Sequence, residues 1–168
     1  MSTTLYILCG KVGSGKTTYA RKLESQGILR FSQDEKALAR VQQYRKPDDF
    51  FRVVDEKTLR AAEAEARKEI LELALRALRE DRPVVIDDGF WRKDERDRYR
   101  ALATQIGAKV NLCYLPIEPE EQWRRLELRN KGDLTFVHFI SRDDMEYLNR
   151  FFEPPINEGE EVIDNATI

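Results

Sequence analysis

The feature that most constrains the fold is a glycine-rich loop close to the N-terminus, Gly10-Lys11-Val12-Gly13-Ser14-Gly15-Lys16-Thr17. An apolar run, Leu5–Cys9, leads directly into it, and the residues from Thr17 to Ser25 follow with helical spacing and a glycine stop. Strand, loop and helix in this order are typical of the first unit of a parallel α/β sheet. The pattern Gly-x4-Gly-Lys-Thr is complete, and its flanking elements are the ones it requires.

A loop of this kind turns successive backbone N–H groups inward and makes a nest for phosphate oxygens. The following helix adds its unpaired first-turn amides and the positive end of its dipole. Lysine at the sixteenth position can reach the β- and γ-phosphates, and the next hydroxyl can ligate Mg²⁺. A ligand-free glycine turn is the weaker alternative. We therefore predict that ATP and Mg²⁺ bind here, at Gly10, Lys11, Val12, Gly13, Ser14, Gly15, Lys16, Thr17 and Thr18.

The rest of the chain alternates between strand and helix patterns. Predicted strands lie at Ile28–Phe31, Pro83–Ile86, Val110–Leu115 and Glu161–Ile163, and predicted helices at about Asp94–Ile106, from Pro119 through Arg129, and from Ser141 to Phe151. The longest helix, about Asp55 to Glu80, places Glu63 and Arg67 as a solvent-facing pair. We expect one α/β domain over residues 1–168, with helices on both faces of its sheet.

Composition narrows the set of partners. The 168 residues carry 29 basic and 31 acidic side chains, a formal net charge of −2, whereas proteins that grip nucleic-acid backbones are usually basic. This charge balance disfavours a polynucleotide partner but leaves it possible as an alternative. The apolar runs are too short to cross a bilayer, so we expect no membrane partner. Two cysteines inside apolar runs, Cys9 and Cys113, are expected to be packed thiols of a cytoplasmic protein.

Two adjacent carboxylates, Asp87 and Asp88, close the apolar strand Pro83–Ile86. The carboxyl ends of strands are where ligands bind in open α/β sheets, and an acidic residue there can orient Mg²⁺. We therefore predict that this pair belongs to the metal site. Because side chains alternate along a strand, we expect only one of the two to face the phosphates. The alternative is that one of these two aspartates caps a helix or forms a turn.

A tetrapeptide that resembles a guanine-reading signal, Asn130-Lys131-Gly132-Asp133, is present. It follows a charged helix instead of the apolar strand that a GTPase requires, and the glycine in Asp87-Asp88-Gly89 comes one position too early for the usual switch motif. We therefore interpret the match as a coincidence. Motors and transporters need further subdomains that 168 residues cannot hold, which leaves a small kinase.

Candidate catalytic residues for phosphoryl transfer lie on either side of the loop. Lys16 belongs to it, and Asp34 follows the second strand, where it can accept the proton of an acceptor hydroxyl; its alternative is a helix N-cap. Arg125 and Arg129 lie four apart on one helical face, just before an irregular segment that we predict to be a lid at about residues 130–141. The alternative is that these two arginines lie on a solvent-exposed face of a charged helix. A guanidinium fork there can neutralise the transferring phosphate.

The chain resembles the small P-loop kinases that group with the 5′-kinase domain of phage-type polynucleotide kinases, zeta toxins and chloramphenicol phosphotransferase. GKVGSGKTTYA, FSQDE, VVIDDGFWRKDER and RLELRN carry the resemblance over about residues 5–130. It implies a three-layer P-loop NTPase fold with a mostly parallel five-stranded sheet in the order 2-3-1-4-5. It also implies Asp34 as general base, Asp88 as an acceptor-side or metal-side carboxylate, and Arg125 or Arg129 at the transferring phosphate.

Departures from that pattern leave the acceptor open. The polynucleotide kinases have an arginine where this chain has Ala37, and their lid arginine falls where it has Lys131-Gly132-Asp133. We expect a small-molecule or nucleoside-like acceptor, with a polynucleotide 5′-hydroxyl and a non-catalytic ATP-binding module as alternatives, and a monomer or homodimer. Aromatics in Gly89–Arg92 and Tyr44–Phe51 either wall a pocket or belong to the core, and the single His138 has no predicted role.

Overall fold

A computed structural model describes residues 3–42, 56–132 and 139–164. Within these ranges the chain forms five strands, which pair in one sheet in the order β2-β3-β1-β4-β5. All four pairings are parallel, so the predicted sheet and its strand order are confirmed. The strands are β1 Thr4–Cys9, β2 Leu29–Ser32, β3 Val84–Asp87, β4 Lys109–Tyr114 and β5 Glu161–Val162.

Six helices surround the sheet in the described ranges. They are α1 Lys16–Ser25, α2 Gln33–Gln42, α3 Glu56–Arg79, α4 Lys93–Gln105, α5 Pro119–Asn130 and α6 Arg142–Asn149. Except for α2, for which no bounds were predicted, their positions match the predicted ones to within two residues, with Pro119 at the start of α5 as expected. The predicted aromatic stretch Tyr44–Phe51, His138 and residues 133–138 of the predicted lid lie outside the described residues.

The core lies on both faces of the sheet because side chains alternate along its buried strands. On one face, Leu5, Ile7 and Cys9 of β1 pack with residues of α3 and α4. On the other, Leu8 packs with residues of α1 and with Cys113. Both cysteines are buried, and burial raises the pKa of the Cys9 thiol to about 11 and that of Cys113 to about 12, as befits packed thiols.

The parallel sheet brings the ends of its central strands to one edge. There β1 runs into the glycine-rich loop, β2 into the first turn of α2, and β3 into Asp88 and Gly89. The fold therefore gathers three of the predicted functional segments, which are distant in sequence, at one edge. No helix in the described ranges combines the length and apolar character needed to span a bilayer.

Candidate functional site

The glycine-rich loop is shaped by close backbone packing. Gly13 has a φ of 77°, in the left-handed region, and a Cβ added there would lie 3.1 Å from Cγ of Leu126. At Gly10 an added Cβ would lie 2.9 Å from the carbonyl oxygen of Leu115. The Lys16 ammonium crosses the loop and donates to the carbonyl oxygens of Gly10 and Lys11, at 2.9 and 2.8 Å. Burial lowers the pKa of Lys16, and Asp87 is the main charge that opposes this effect.

The loop is also held from outside by two side chains that we did not predict. The indole N–H of Trp91 donates to the carbonyl oxygen of Gly10 at 3.0 Å. The amide of Gln122 on α5, which is fully buried, donates to the carbonyl oxygen of Val12 at 2.9 Å and exchanges hydrogen bonds with Asn149 of α6. Since a buried amide needs its partners, these bonds fix α5 and α6 against the loop.

Asp87 is the carboxylate that faces the loop. The Thr17 hydroxyl donates to its Oδ1 at 3.2 Å, while the guanidinium of Arg30 donates to Oδ2 at 3.1 and 2.8 Å. Arg30, on β2, also donates to Glu35 in the first turn of α2 at 2.7 Å. Burial raises the pKa of Asp87, and its bonds to Arg30 oppose that rise. Arg30 thus orients the Asp87 carboxylate towards Thr17, a contact between strands that sequence spacing does not reveal.

Asp88 has partners different from those of Asp87, in keeping with the alternation of side chains along a strand. One of its oxygens accepts from the backbone N–H of Gly89, and the other lies 3.5 Å from Nη2 of Arg67. The two adjacent carboxylates therefore serve different parts of the site.

Arg67 has partners that the sequence does not predict. We expected it to pair with Glu63 on the solvent side of α3; its side chain is 47% exposed and the charge of Glu63 acts on it, and both residues also line the cleft beside the loop. The guanidinium of Arg67 donates to Oε1 of Gln33 at 3.1 Å, and its Nε lies 3.7 Å from Oε1 of Glu95 on α4. Helical spacing correctly predicted one shared face, but it could not tell which neighbours that face would meet.

The predicted base and the two predicted arginines line the same cleft as the loop. Asp34 lies in the first turn of α2, and its negative charge raises the pKa of Arg129, which burial lowers more strongly. Arg125 is half-buried, and its Nε donates to Glu121 at 2.6 Å. That contact and a second one from Arg124 lower the pKa of Glu121 to about 2.

Asn130 has a structural role that explains its position in the misleading tetrapeptide. It is the last residue of α5, not a loop residue after a strand. Its amide N–H donates to the carbonyl oxygen of Ile140 at 2.7 Å, and its side-chain oxygen accepts from the backbone N–H of Ile140. Asn130 therefore joins the two ends of the predicted lid. Ser141 and Asp144 form a capping box that starts α6, as a serine cap predicts.

A buried arginine holds the segment after β3 in place. The side chain of Arg96 on α4 is fully buried and donates to both oxygens of Glu158, at 3.0 and 2.6 Å. It also donates to the carbonyl oxygens of Phe90 and Trp91, at 3.0 and 3.1 Å. Phe90 has a φ of 41°, unusual for a residue other than glycine, and its ring packs edge-on against Tyr99.

These segments enclose a cleft of about 1300 Å³. Of the nine predicted nucleotide-binding residues, six line the cleft, and Gly10, Lys11 and Ser14 are not among its lining residues. A cleft of this volume is large enough to hold two small ligands. Its remaining walls include Asp34, Asp87 and Asp88, the arginines of α5, Tyr147 of α6 and Phe151, which follows α6.

Structural comparison finds the same fold in several solved structures. A candidate kinase from Chloroflexus aurantiacus has a TM-score of 0.75 at 17% identity, with 99% of this chain and 91% of that chain covered. A sugar kinase from Janibacter sp. HTCC2649 gives 0.64 at 17%, with 98% and 86% covered. A chain of the Pnkp1/Rnl/Hen1 RNA repair complex gives 0.67 at 19% over 95% of this chain, which spans 50% of that chain.

At these identities the likeness shows the fold, which is the P-loop kinase fold that the sequence predicts. A search of curated proteins finds no significant match. A family model for AAA domains, AAA_33, matches residues 5–155 and thus covers the loop, Asp34, the acidic pair and the arginines of α5. The chain therefore belongs to the AAA_33 family of AAA domains, with the architecture of a small P-loop kinase.

Proposed function

We propose that the protein is an ATP-dependent phosphotransferase that moves the γ-phosphate to a hydroxyl group of a small molecule. The observation that carries the proposal is that one cleft is lined both by the phosphate loop and by Asp34 with Arg125 and Arg129. A protein that only binds a nucleotide needs the loop alone. A carboxylate and a guanidinium in the same cleft are what the transfer of a phosphoryl group to an alcohol requires in addition.

The donor side fits a triphosphate with Mg²⁺. Gly13 and Gly15 both have positive φ values, which shape the turn, and the first-turn amides of α1 lack helical partners. The Lys16 ammonium already lies across the loop. The hydroxyl of Thr17 and the carboxylate of Asp87, which are in contact, are the residues that would hold Mg²⁺. When bound, the ion would neutralise charge on the β- and γ-phosphates.

On the acceptor side, Asp34 would accept the proton of the attacking hydroxyl late in the reaction, as the carboxylate of a kinase does. Arg129 would supply positive charge to the oxygens of the transferring phosphate. Its half-buried position favours this role, because a guanidinium in a low-dielectric environment interacts more strongly with an anion. Arg125 offers a second fork on the same helical face, currently bonded to Glu121.

The direct test is to incubate the protein with ATP·Mg²⁺ and a panel of hydroxylated metabolites, nucleosides and antibiotics, and to search by mass spectrometry for products that have gained one phosphate. We expect ADP and a phosphorylated product in equal amounts. ADP and free phosphate with every acceptor would contradict the kinase assignment. Binding of ATP with no turnover would instead indicate a regulatory nucleotide-binding module.

A polynucleotide 5′-hydroxyl is the second candidate acceptor, favoured by the arginines of the cleft and by the structural likeness to a chain of an RNA repair complex. If it were the acceptor, the KM for a 5′-hydroxyl oligonucleotide would rise steeply with salt, because each neutralised phosphate releases counterions. For the true acceptor, we expect the KM to change little or not at all between about 50 and 200 mM salt. A KM that rises steeply with salt would favour a polynucleotide over a small molecule as the acceptor.

A further inference from the structure

A polar cluster from four elements lines the cleft near the candidate base. We call it the Arg67 cluster; it consists of Gln33 on α2, Arg67 on α3, Asp88 after β3 and Glu95 on α4. We propose that the Arg67 cluster binds the acceptor through two adjacent hydroxyl groups, so that the acceptor is a neutral polyhydroxylated molecule. This inference rests on the proposed function and specifies the half of the site that the phosphate loop leaves open.

The distances within the cluster show that its charges are held near one another without being closed into tight pairs. The guanidinium of Arg67 lies 3.5 Å from Asp88 and 3.7 Å from Glu95, beyond the range of a strong hydrogen bond. By contrast, Arg96 and Glu158 are 2.6 Å apart, with side chains 0% and 6% exposed. The side chain of Arg67 is 47% exposed, and those of Asp88 and Glu95 are 19% and 23% exposed. The Arg67 cluster therefore retains hydrogen-bonding capacity towards the cleft.

The chemistry of the cluster suits hydroxyl groups. A hydroxyl both donates and accepts, so one can donate to a carboxylate while it accepts from the guanidinium. With one arginine between two carboxylates, the cluster offers matching partners to two neighbouring hydroxyls. Its formal charge is −1, so a carboxylate or phosphate on the acceptor would meet Asp88 and Glu95 and be repelled.

Other charged groups line the same cleft, and of its cations Lys16, Arg125 and Arg129 are assigned above to the phosphates and not to the acceptor. Arg60 and Glu63, on α3 with Arg67, contribute one charge of each sign to the cleft. Arg92 also lines the cleft, and its guanidinium is engaged by Asp94 at 2.8 Å.

The cluster is placed to present a hydroxyl to the candidate base. Gln33, whose side-chain oxygen accepts from Arg67, is the residue before Asp34 and is buried. Gln33 and Asp34 share the first turn of α2, and Asp34 lines the same cleft as the Arg67 cluster, so an acceptor bound by the cluster would share that cleft with the carboxylate that would deprotonate it.

The test compares acceptors in matched pairs, each measured as kcat/KM with ATP·Mg²⁺. Sorbitol against gluconate changes the charge, adenosine against 2′-deoxyadenosine removes one of two adjacent hydroxyls, and adenosine against its 3′-monophosphate does both. A wider panel of neutral sugars and nucleosides, each beside its acidic derivative, extends the comparison. We expect the neutral diol to be preferred by at least about tenfold in every pair that reacts.

Two variants with matched controls test the residues. Arg67→Met is expected to raise the KM of the neutral acceptor about tenfold or more while kcat and nucleotide affinity change by less than about threefold. Glu95→Gln is expected to raise kcat/KM for the anionic member of a pair. The ratio of kcat/KM for the neutral acceptor to that for the anionic acceptor should therefore fall about tenfold. Arg76→Met and Glu72→Gln change exposed residues of α3 outside the cleft. They should alter neither the KM of the neutral acceptor nor the kcat/KM of the anionic one.

The outcomes separate this inference from the proposed function. Transfer that prefers anionic acceptors, or acceptors with a single hydroxyl, would overturn the assignment of the Arg67 cluster and leave the kinase activity standing. Equal effects of Arg67→Met and Arg76→Met on KM would overturn it as well. A complete lack of phosphorylated product across the panel would contradict the proposed function itself, and the inference with it.

Discussion

Asp34→Asn is expected to lower the rate of phosphoryl transfer by about 10²- to 10⁴-fold, the usual contribution of a general base, and to leave nucleotide binding intact. The amide keeps the size and polarity of the side chain but cannot take the proton of the acceptor. Because the negative charge of Asp34 acts on Lys16 and Arg129, its removal should leave ATP affinity unchanged or slightly tighter. Single-turnover transfer and equilibrium binding of a fluorescent nucleotide would measure the two effects separately.

A suitable control is Asp81→Asn. Asp81 is exposed, follows α3 at the opposite end of the sheet, and has a φ of 56°, which asparagine tolerates as well as aspartate does. This variant should match the wild type in both measurements. Weakened nucleotide affinity of Asp34→Asn combined with normal turnover would rule out the assignment of Asp34 as the base and place it on the donor side instead.

The parts of this molecule that local patterns determine could be predicted from its sequence. The apolar run before Gly10 and the helical spacing after Thr17 set β1, the loop and α1. Pro119 and Ser141 marked the starts of α5 and α6, because fixed φ and side-chain capping act within a few residues. Alternation along β3 likewise predicted that Asp87 and Asp88 would diverge, although not which of them would meet Thr17.

Features that depend on distant partners could not be predicted in this way. Arg30 on β2 donates to Asp87 on the neighbouring strand β3, although 57 residues separate them in sequence. Gln122 donates to Val12 from the far half of the chain. Arg96 lies in the highly charged run Lys93–Arg100, whose composition predicts a solvated helix, yet its side chain is fully buried. Its burial is compensated by Glu158, 62 residues later, and no local signal records that pairing.

Arg96→Met is expected to be among the most destabilising single changes in the protein, with a loss of about 3–5 kcal/mol in the free energy of unfolding. The substitution leaves the Glu158 carboxylate, 6% exposed, with Arg100 as its remaining described guanidinium partner at 2.9 Å. It also removes a donor to the carbonyl oxygens of Phe90, Trp91 and Glu153, of which that of Trp91 keeps the backbone N–H of Glu153. Because a buried acceptor without a donor carries its full desolvation penalty, the lost bonds cost more than they would at the surface.

Loss of Arg96 should also reach the nucleotide site, because Trp91 is held by Arg96 and itself holds the carbonyl oxygen of Gly10. We therefore expect ATP affinity to fall together with stability. Denaturant unfolding and nucleotide binding at a temperature where the variant is folded would measure both. Arg98→Met, an exposed change two residues away on α4, should shift the free energy of unfolding by less than about 0.5 kcal/mol.

The double variant Arg96→Met/Glu158→Leu separates the ion pair from the carbonyl contacts. Burial without a partner is costly for a charge, so removing Glu158 as well should restore part of the stability that Arg96→Met loses. The recovery should be incomplete, because the carbonyl oxygen of Phe90 still lacks the Arg96 donor, whereas that of Trp91 keeps the backbone N–H of Glu153. Full recovery would show that only the charge pair matters. A single variant as stable as Arg98→Met would show that Arg96 does not hold the segment after β3 in place.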